Sequence, residues 1–388
     1  MTHPLFRILN PLLFLISAAP ICLAQAFQPA QVLAPSSQEA PDGPPLLLDF
    51  GASIAPSDGT LMIGMPLYQS NTGRVALFTR NSSGAWQRNG SLDAPAHAPG
   101  NLQFGWTIAL QGDMALISAG FGIPDLYLYR RSNGAWTQAA VYKGLGAGRI
   151  MFAGDEIFIG RSVYHIDQQN RLNLVQRLTV YDTSTAGRVP AIAVYQGTAV
   201  LGFDQPDGTR GAAYVFLRSG ERWTQHQKLT AIDGQPGDRF GSALSIEGNL
   251  LAVGAPGRTN QNPSCDTPPG GLAYVFKKQN GLWVEQQVIE SPDECAFQFG
   301  SGVAINSAAL AVGDGATPPA NFANAYLYRQ MGGQYVYENP VSALENGAPD
   351  LVATPGTLYV GFPAEGISGG VQFSPGEVQV FEFGTAVR

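Results

Sequence analysis

Along most of the chain, apolar residues come in short runs that alternate with polar positions or are rich in β-branched side chains. A period of two puts successive side chains on opposite faces of a strand. Residues 242–246 (SALSI) and 250–254 (LLAVG) are two such runs, joined by Glu247, Gly248 and Asn249. Glycine accepts the positive φ that a tight hairpin requires. LAYVF (272–276) predicts a third strand, and after Gln279, Asn280 and Gly281, WVEQQVI (283–289) predicts a fourth. The alternation in that fourth run suits a strand with one face in water. After residue 26, no apolar stripe of 3.6 period is long enough for a core helix, which argues against a mixed α/β domain.

The set of four runs recurs. The stretch FGSALSIEGNLLAVGAP from Phe240 has counterparts at Phe50 (FGASIAPSDGTLMIGMP), Phe104 (FGWTIALQGDMALISAG) and Phe299 (FGSGVAINSAALAVGDG). In each, 14 positions separate the phenylalanine from the small residue closing the second run: Phe50 to Gly64, Phe104 to Ser118, Phe240 to Gly254, Phe299 to Gly313. The same offset counted back from Gly160, Gly202 and Gly361 finds three weaker copies near Gly146, Arg188 and Gly347. The seven starts, 50, 104, 146, 188, 240, 299 and 347, lie 54, 42, 42, 52, 59 and 48 residues apart. A four-stranded repeat of this length has the size of one propeller blade.

The pairing of Phe-Gly at the first strand with Gly-Ala-Pro after the second is complete at Phe240-Gly241 and Gly254-Ala255-Pro256. In these residues the chain resembles the FG-GAP repeat proteins, among them integrin α-chain propellers and secreted bacterial proteins. The resemblance implies an all-β fold, a seven-bladed β-propeller of four-stranded antiparallel blades over residues 27–388. The last copy offers TLYVG (357–361) and EVQVFEF (377–383) but no fourth strand. Residues 27–36 are expected to supply it, closing the ring so that no seam is left open.

Composition agrees with a turn-rich β protein. There are 47 Gly and 28 Pro in 388 residues, and charged residues make up 13%, against about a quarter in an average domain. The net charge of −7 provides no basic stripe, so a nucleic-acid partner is not expected. Residues 1–26 read as a cleavable export signal. Arg7 precedes the apolar run 12–16, which is too short to span a bilayer, and Ala24-Gln25-Ala26 is a cleavage site. Cys22 follows Ile21, where a lipid anchor would need a small residue. The expected product is secreted or periplasmic, monomeric and without a membrane span.

Chemistry is sparse. In an exported propeller, Cys265 and Cys295 lie in loops on one face beside the seam of blades five and six, and a disulfide between them is expected. Integrin-like repeats often carry a calcium loop with several carboxylates between the first two strands. The turns here, at Asp58, Asp113, Glu247 and Asn306, hold at most one carboxylate each, so no metal or other cofactor is expected. The aspartates at 204, 207, 233 and 238 read as turn residues. His97, His165 and His226 form no recognisable catalytic set, and no catalytic residue is assigned. By the resemblance, Phe50, Phe104, Phe240 and Phe299, with Trp106, are candidates for a central aromatic cup that grips a cation. The alternative places each phenylalanine between two blades. Trp86, Trp136, Trp223 and Trp283 open fourth strands and read as packing residues. The function expected is non-enzymatic binding of an extracellular or periplasmic protein or glycan by a loop-rich face. The alternatives are a lectin and a polysaccharide-degrading enzyme, the latter built on His97 with neighbouring Tyr and Arg.

Overall fold

The computed structural model describes residues 27–37, 39, 48–95, 102–120, 124–146, 148–181, 191–204, 210–259, 265, 270–315, 323–342, 349–363 and 376–383. The expected export signal, the starts near Arg188 and Gly347, and His97 and Asp207 lie outside them. Seven four-stranded antiparallel sheets form seven blades. Among the described residues no helix is long and apolar enough to cross a membrane.

The first strand of each blade faces the axis. These inner strands are Ile54–Ser57, Ile108–Gln111, Ile150–Ala153, Ala191–Tyr195, Ala243–Glu247, Gly302–Ile305 and Asp350–Thr354. Each touches the next, and the last touches the first. Tight turns lead from each inner strand to the second; at Asp58-Gly59 both residues have positive φ, 44° and 73°, as a two-residue hairpin turn demands.

The ring closes through Gln31–Leu33, which pairs antiparallel with Glu377–Glu382 as the outer strand of blade seven. Phe27 anchors it, buried edge-on against Phe383 at 4.8 Å.

The apolar core is divided among the seams. Seven buried clusters are present, and each joins side chains of two adjacent blades. The Phe-Gly motif is the hinge of this packing. Asp49, Gln103, Arg239 and Gln298 precede the four phenylalanines and all have positive φ, between 52° and 59°. The glycines that follow have φ between 90° and 101°. A left-handed residue on either side of each phenylalanine turns its ring between the blades. The motif glycine donates its N–H to the end of its own second strand, Gly241 to the Gly254 carbonyl at 2.9 Å. Its carbonyl faces the matching glycine of the preceding blade. A Cβ on Gly64, Gly202 or Gly254 would collide with the carbonyl oxygen of Gly105, Gly241 or Gly300 respectively. This close approach explains why glycine follows the motif phenylalanine and why Gly64 and Gly254 close their second strands.

A second device ties the outer rim. Gln227 accepts the Trp283 N–H at 2.8 Å and donates to the Trp283 carbonyl at 2.8 Å. Gln31 makes the same pair of bonds to Trp86, Gln176 to Trp223 and Gln287 to Tyr335. Asn339 makes them to Phe27. Each carboxamide thus clamps the outer strand of the following blade. Five of the seven seams carry the clamp; Gly90 and Ala140 hold the equivalent position in blades one and two.

Candidate binding face and central channel

Antiparallel blades put two sets of connections on one face: those from second to third strands, and those from each outer strand to the next inner one. This loop face surrounds one end of a central channel of about 520 Å³ lined by all seven inner strands. Ile54, Ile108, Met151, Ile192, Leu244 and Val352 are among the residues along its length.

Ser57, Gln111, Tyr195, Glu247 and Thr354 line the far mouth; the loop-face mouth is where the inner strands begin. Trp106, Arg149 and Asp350 all line it. Arg149 Nη2 stands 3.4 Å from Asp350 Oδ1, and Asp350 Oδ2 accepts the Ile54 N–H at 2.9 Å. Burial among the inner strands pushes the Asp350 carboxyl up, while Arg149 and the Ile54 amide pull it down less strongly. The Arg149 side chain is half-exposed, so it presents positive charge to the mouth.

The aromatic cup is corrected by the structure. Phe50, Phe104, Phe240 and Phe299 have no exposed surface. They stack edge-on against third-strand rings, Phe104 on Tyr127 at 5.7 Å, Phe240 on Tyr274 at 5.3 Å and Phe299 on Tyr326 at 5.4 Å. The left-handed residue before each phenylalanine aims it into the seam and away from the axis. Trp106, 37% exposed, is the one member of the set on the channel wall.

The loop face is held by ion pairs and one cross-link. Cys265 and Cys295 form a disulfide with Cα atoms 5.5 Å apart, tying the long blade-five connection to the segment that enters blade six. A cleft of about 450 Å³ lies beside it, lined by Asp233, Glu290, Asp293, Glu294 and Arg258 among others. Arg258 bonds Asp233 at 3.1 Å and Asp238 at 2.8 Å, and Tyr274 donates its hydroxyl to Asp233 at 2.9 Å. Near blade one, buried Glu39 pairs with Arg74 at 3.3 Å and Arg88 at 2.5 Å. Burial opposes the Glu39 charge, but the Ser36 amide, Arg88 and the Ser36 hydroxyl outweigh it and hold the carboxyl below its usual range.

The two described histidines stand elsewhere. His165 lies in the third strand of blade three and His226 in the outer strand of blade four, where its Nε2 is 3.2 Å from the Gly281 carbonyl. The channel mouth was not legible in the sequence. Arg149 and Asp350 are 201 positions apart and open two of the degenerate copies, so no local pattern marked them.

A model of the FG-GAP repeat matches residues 223–276, from the outer strand of blade four through the third strand of blade five. Together with the seven-bladed fold, this match fits an integrin α-like FG-GAP propeller. No curated protein matches the chain.

Proposed function

We propose that the chain is an exported binding module that holds a protein partner on the loop face, over the channel mouth. The observation that carries this reading is the convergence of Trp106, Arg149 and Asp350 at the centre of that face. An indole and a half-exposed guanidinium lining one channel offer apolar area and charge together, residue types common in binding hot spots. The surrounding loops are unlike one another in length and sequence. The second-to-third-strand connection is two residues in blade three, Gly160 and Arg161, and spans 260–269 in blade five. Unlike loops suit one extended protein surface better than repeated glycan sites. The disulfide suits an oxidising compartment, and the first 26 residues serve as the signal for export.

The test is capture from extracellular and periplasmic extracts, read against a Trp106→Ala, Arg149→Ala double variant. Loss of a captured protein in the double variant is the expected result. Equal capture by both would remove the channel mouth from the interface. Binding on a glycan array with several sites per chain would replace the protein reading by the lectin one. Sequencing of the exported protein should begin at Phe27.

A further inference from the structure

The seam between blades one and two lacks the rim clamp but keeps the room for it. Gly90 pairs with Leu77 as Gln227 pairs with Val215 and Gln287 with Val275. A Cβ placed on Gly90 meets nothing nearer than Leu77 Cδ1 at 3.8 Å. Across the seam, Trp136 pairs with Arg131 as Trp223 pairs with Arg218. Arg131 gives its N–H to the Asp113 carbonyl at 2.9 Å, toward its own second strand. The Arg131–Trp136 pair is therefore the non-hydrogen-bonded kind, and the Trp136 N–H and C=O point out of the blade. In five other seams a carboxamide takes those two groups. Here a cavity of about 430 Å³ stands in its place, lined by Gly90, Ser91, Arg131 and Trp136 among others.

We propose that this cavity is a docking slot for the glutamine side chain of a protein partner. The chemistry is restrictive. The occupant must present one N–H donor and one carbonyl acceptor side by side. A carboxylate has no donor, an ammonium or guanidinium has no acceptor, and a single hydroxyl does not span both groups. The Trp136 indole, half-buried with the Arg131 guanidinium carbon 5.2 Å over its ring, walls the slot for the methylene stem. The slot sits on the outer rim, away from the channel mouth, so it stands independently of the loop-face reading.

The chain has 5 tryptophans, so the indole N–H signal of Trp136 is readily assigned in ¹⁵N spectra of the full chain with a Trp136→Phe reference. N-acetylglutamine methylamide is the probe. The Trp136 indole and backbone amide signals are expected to shift with it and to stay still with the isosteric N-acetylglutamate methylamide. In Gly90→Gln the built-in carboxamide should fill the slot and abolish the response. Because Gly90 has φ of 151°, a second variant guards against strain. Gln227→Ala opens the equivalent slot at Trp283, whose indole should then respond to the probe. No shift at Trp136, an equal shift with the carboxylate, or no response at Trp283 in Gln227→Ala would overturn the inference.

Discussion

The seam between blades four and five and the seam between blades two and three do the same job with unequal means. The first has a buried Phe-Gly hinge at Phe240, the Gly202–Gly241 close approach, the Gln227 clamp, and a cluster of fifteen buried side chains that includes Phe240, Tyr274, Phe276 and Trp283. The second has Gly146 where the phenylalanine would stand and Ala140 where the carboxamide would stand. Among the described residues its cluster has seven buried members and no buried aromatic ring. It is held instead by side-chain bonds to two turns of blade three, one of them from Gln111 to the Gly154 carbonyl at 2.7 Å. Tyr142 gives its hydroxyl to the Asn170 carbonyl at 2.8 Å, and Arg130 bonds Asn170 Oδ1 at 2.8 Å. The difference shows that a seam can lack both devices where each adjoining seam keeps one, the Phe104 hinge on one side and the Gln176 clamp on the other.

Removing a lock should expose this dependence, and the largest effect is at ring closure. Deleting residues 27–36 removes the outer strand of blade seven, buried Phe27 and Leu33, and the clamps to Trp86 and from Asn339. The loss is expected to be about 5 kcal/mol or more. Calorimetry should show a large fall in Tm; an unchanged Tm would mean that the ring holds without its closing strand.

Next in size is the hinge itself. Phe240→Ala leaves a cavity in a fully buried site and should cost about 3–5 kcal/mol in urea unfolding. Phe152, half-buried in the weak seam, should cost clearly less as Phe152→Ala. Equal costs would erase the distinction between the two seams.

Much of this ring was legible in the chain, and the reason is physical. Period-two alternation and glycine turns are local signals, so the strands around 242–289 and the plan of four-stranded antiparallel blades follow from short stretches of sequence. Side-chain direction is not local. The aim of Phe240 depends on positive φ at Arg239 and Gly241, and spacing alone leaves a cup and a seam equally open. The clamp was hidden for another reason. Gln227 alternates with its neighbours like any solvent-facing residue, and its partner lies 56 positions away in the next blade. Arg149 and Asp350 meet only because two inner strands converge at one mouth.

The glycine-alanine-proline stretch allows a comparison between blades five and six. Ala255 follows Gly254 and is buried; Asp314 follows Gly313 and is also buried. Burial pushes the Asp314 carboxyl up to about 6, against the pull of the Asn324 amide and side chain and the Tyr326 hydroxyl. A raised carboxyl favours folding while protonated, so this contribution is complete below the ordinary value near 3.8 and is lost as pH rises through about 6. The change is worth about 2–3 kcal/mol. Asp314→Asn keeps an acceptor for the Asn324 N–H and should flatten stability between pH 4 and 7. A variant that follows the wild-type profile would show that the titrating group is elsewhere.

The smallest effect bears most directly on why two seams do without the clamp. Gln227→Ala removes two bonds to Trp283, each worth about 0.5–1.5 kcal/mol net, and should cost about 1–2 kcal/mol. The loss is partial because the freed Trp283 N–H and C=O lie at a blade edge, where water can take them. Ala140→Gln, the reverse change at the weak seam, has the Leu172 backbone across from it and should gain less than about 1 kcal/mol. The gain is smaller because ordering a glutamine side chain has its own entropy cost, and because Asn170 already holds that end of blade three. Unfolding of the two variants in parallel decides whether the clamp is additive to the hinge. If Gln227→Ala is neutral, the carboxamides only follow a packing set by Phe240 and the glycine pairs. If Ala140→Gln gains as much as Gln227→Ala loses, the clamp is a transferable unit, and its absence at Gly90 and Ala140 has a cause other than local geometry.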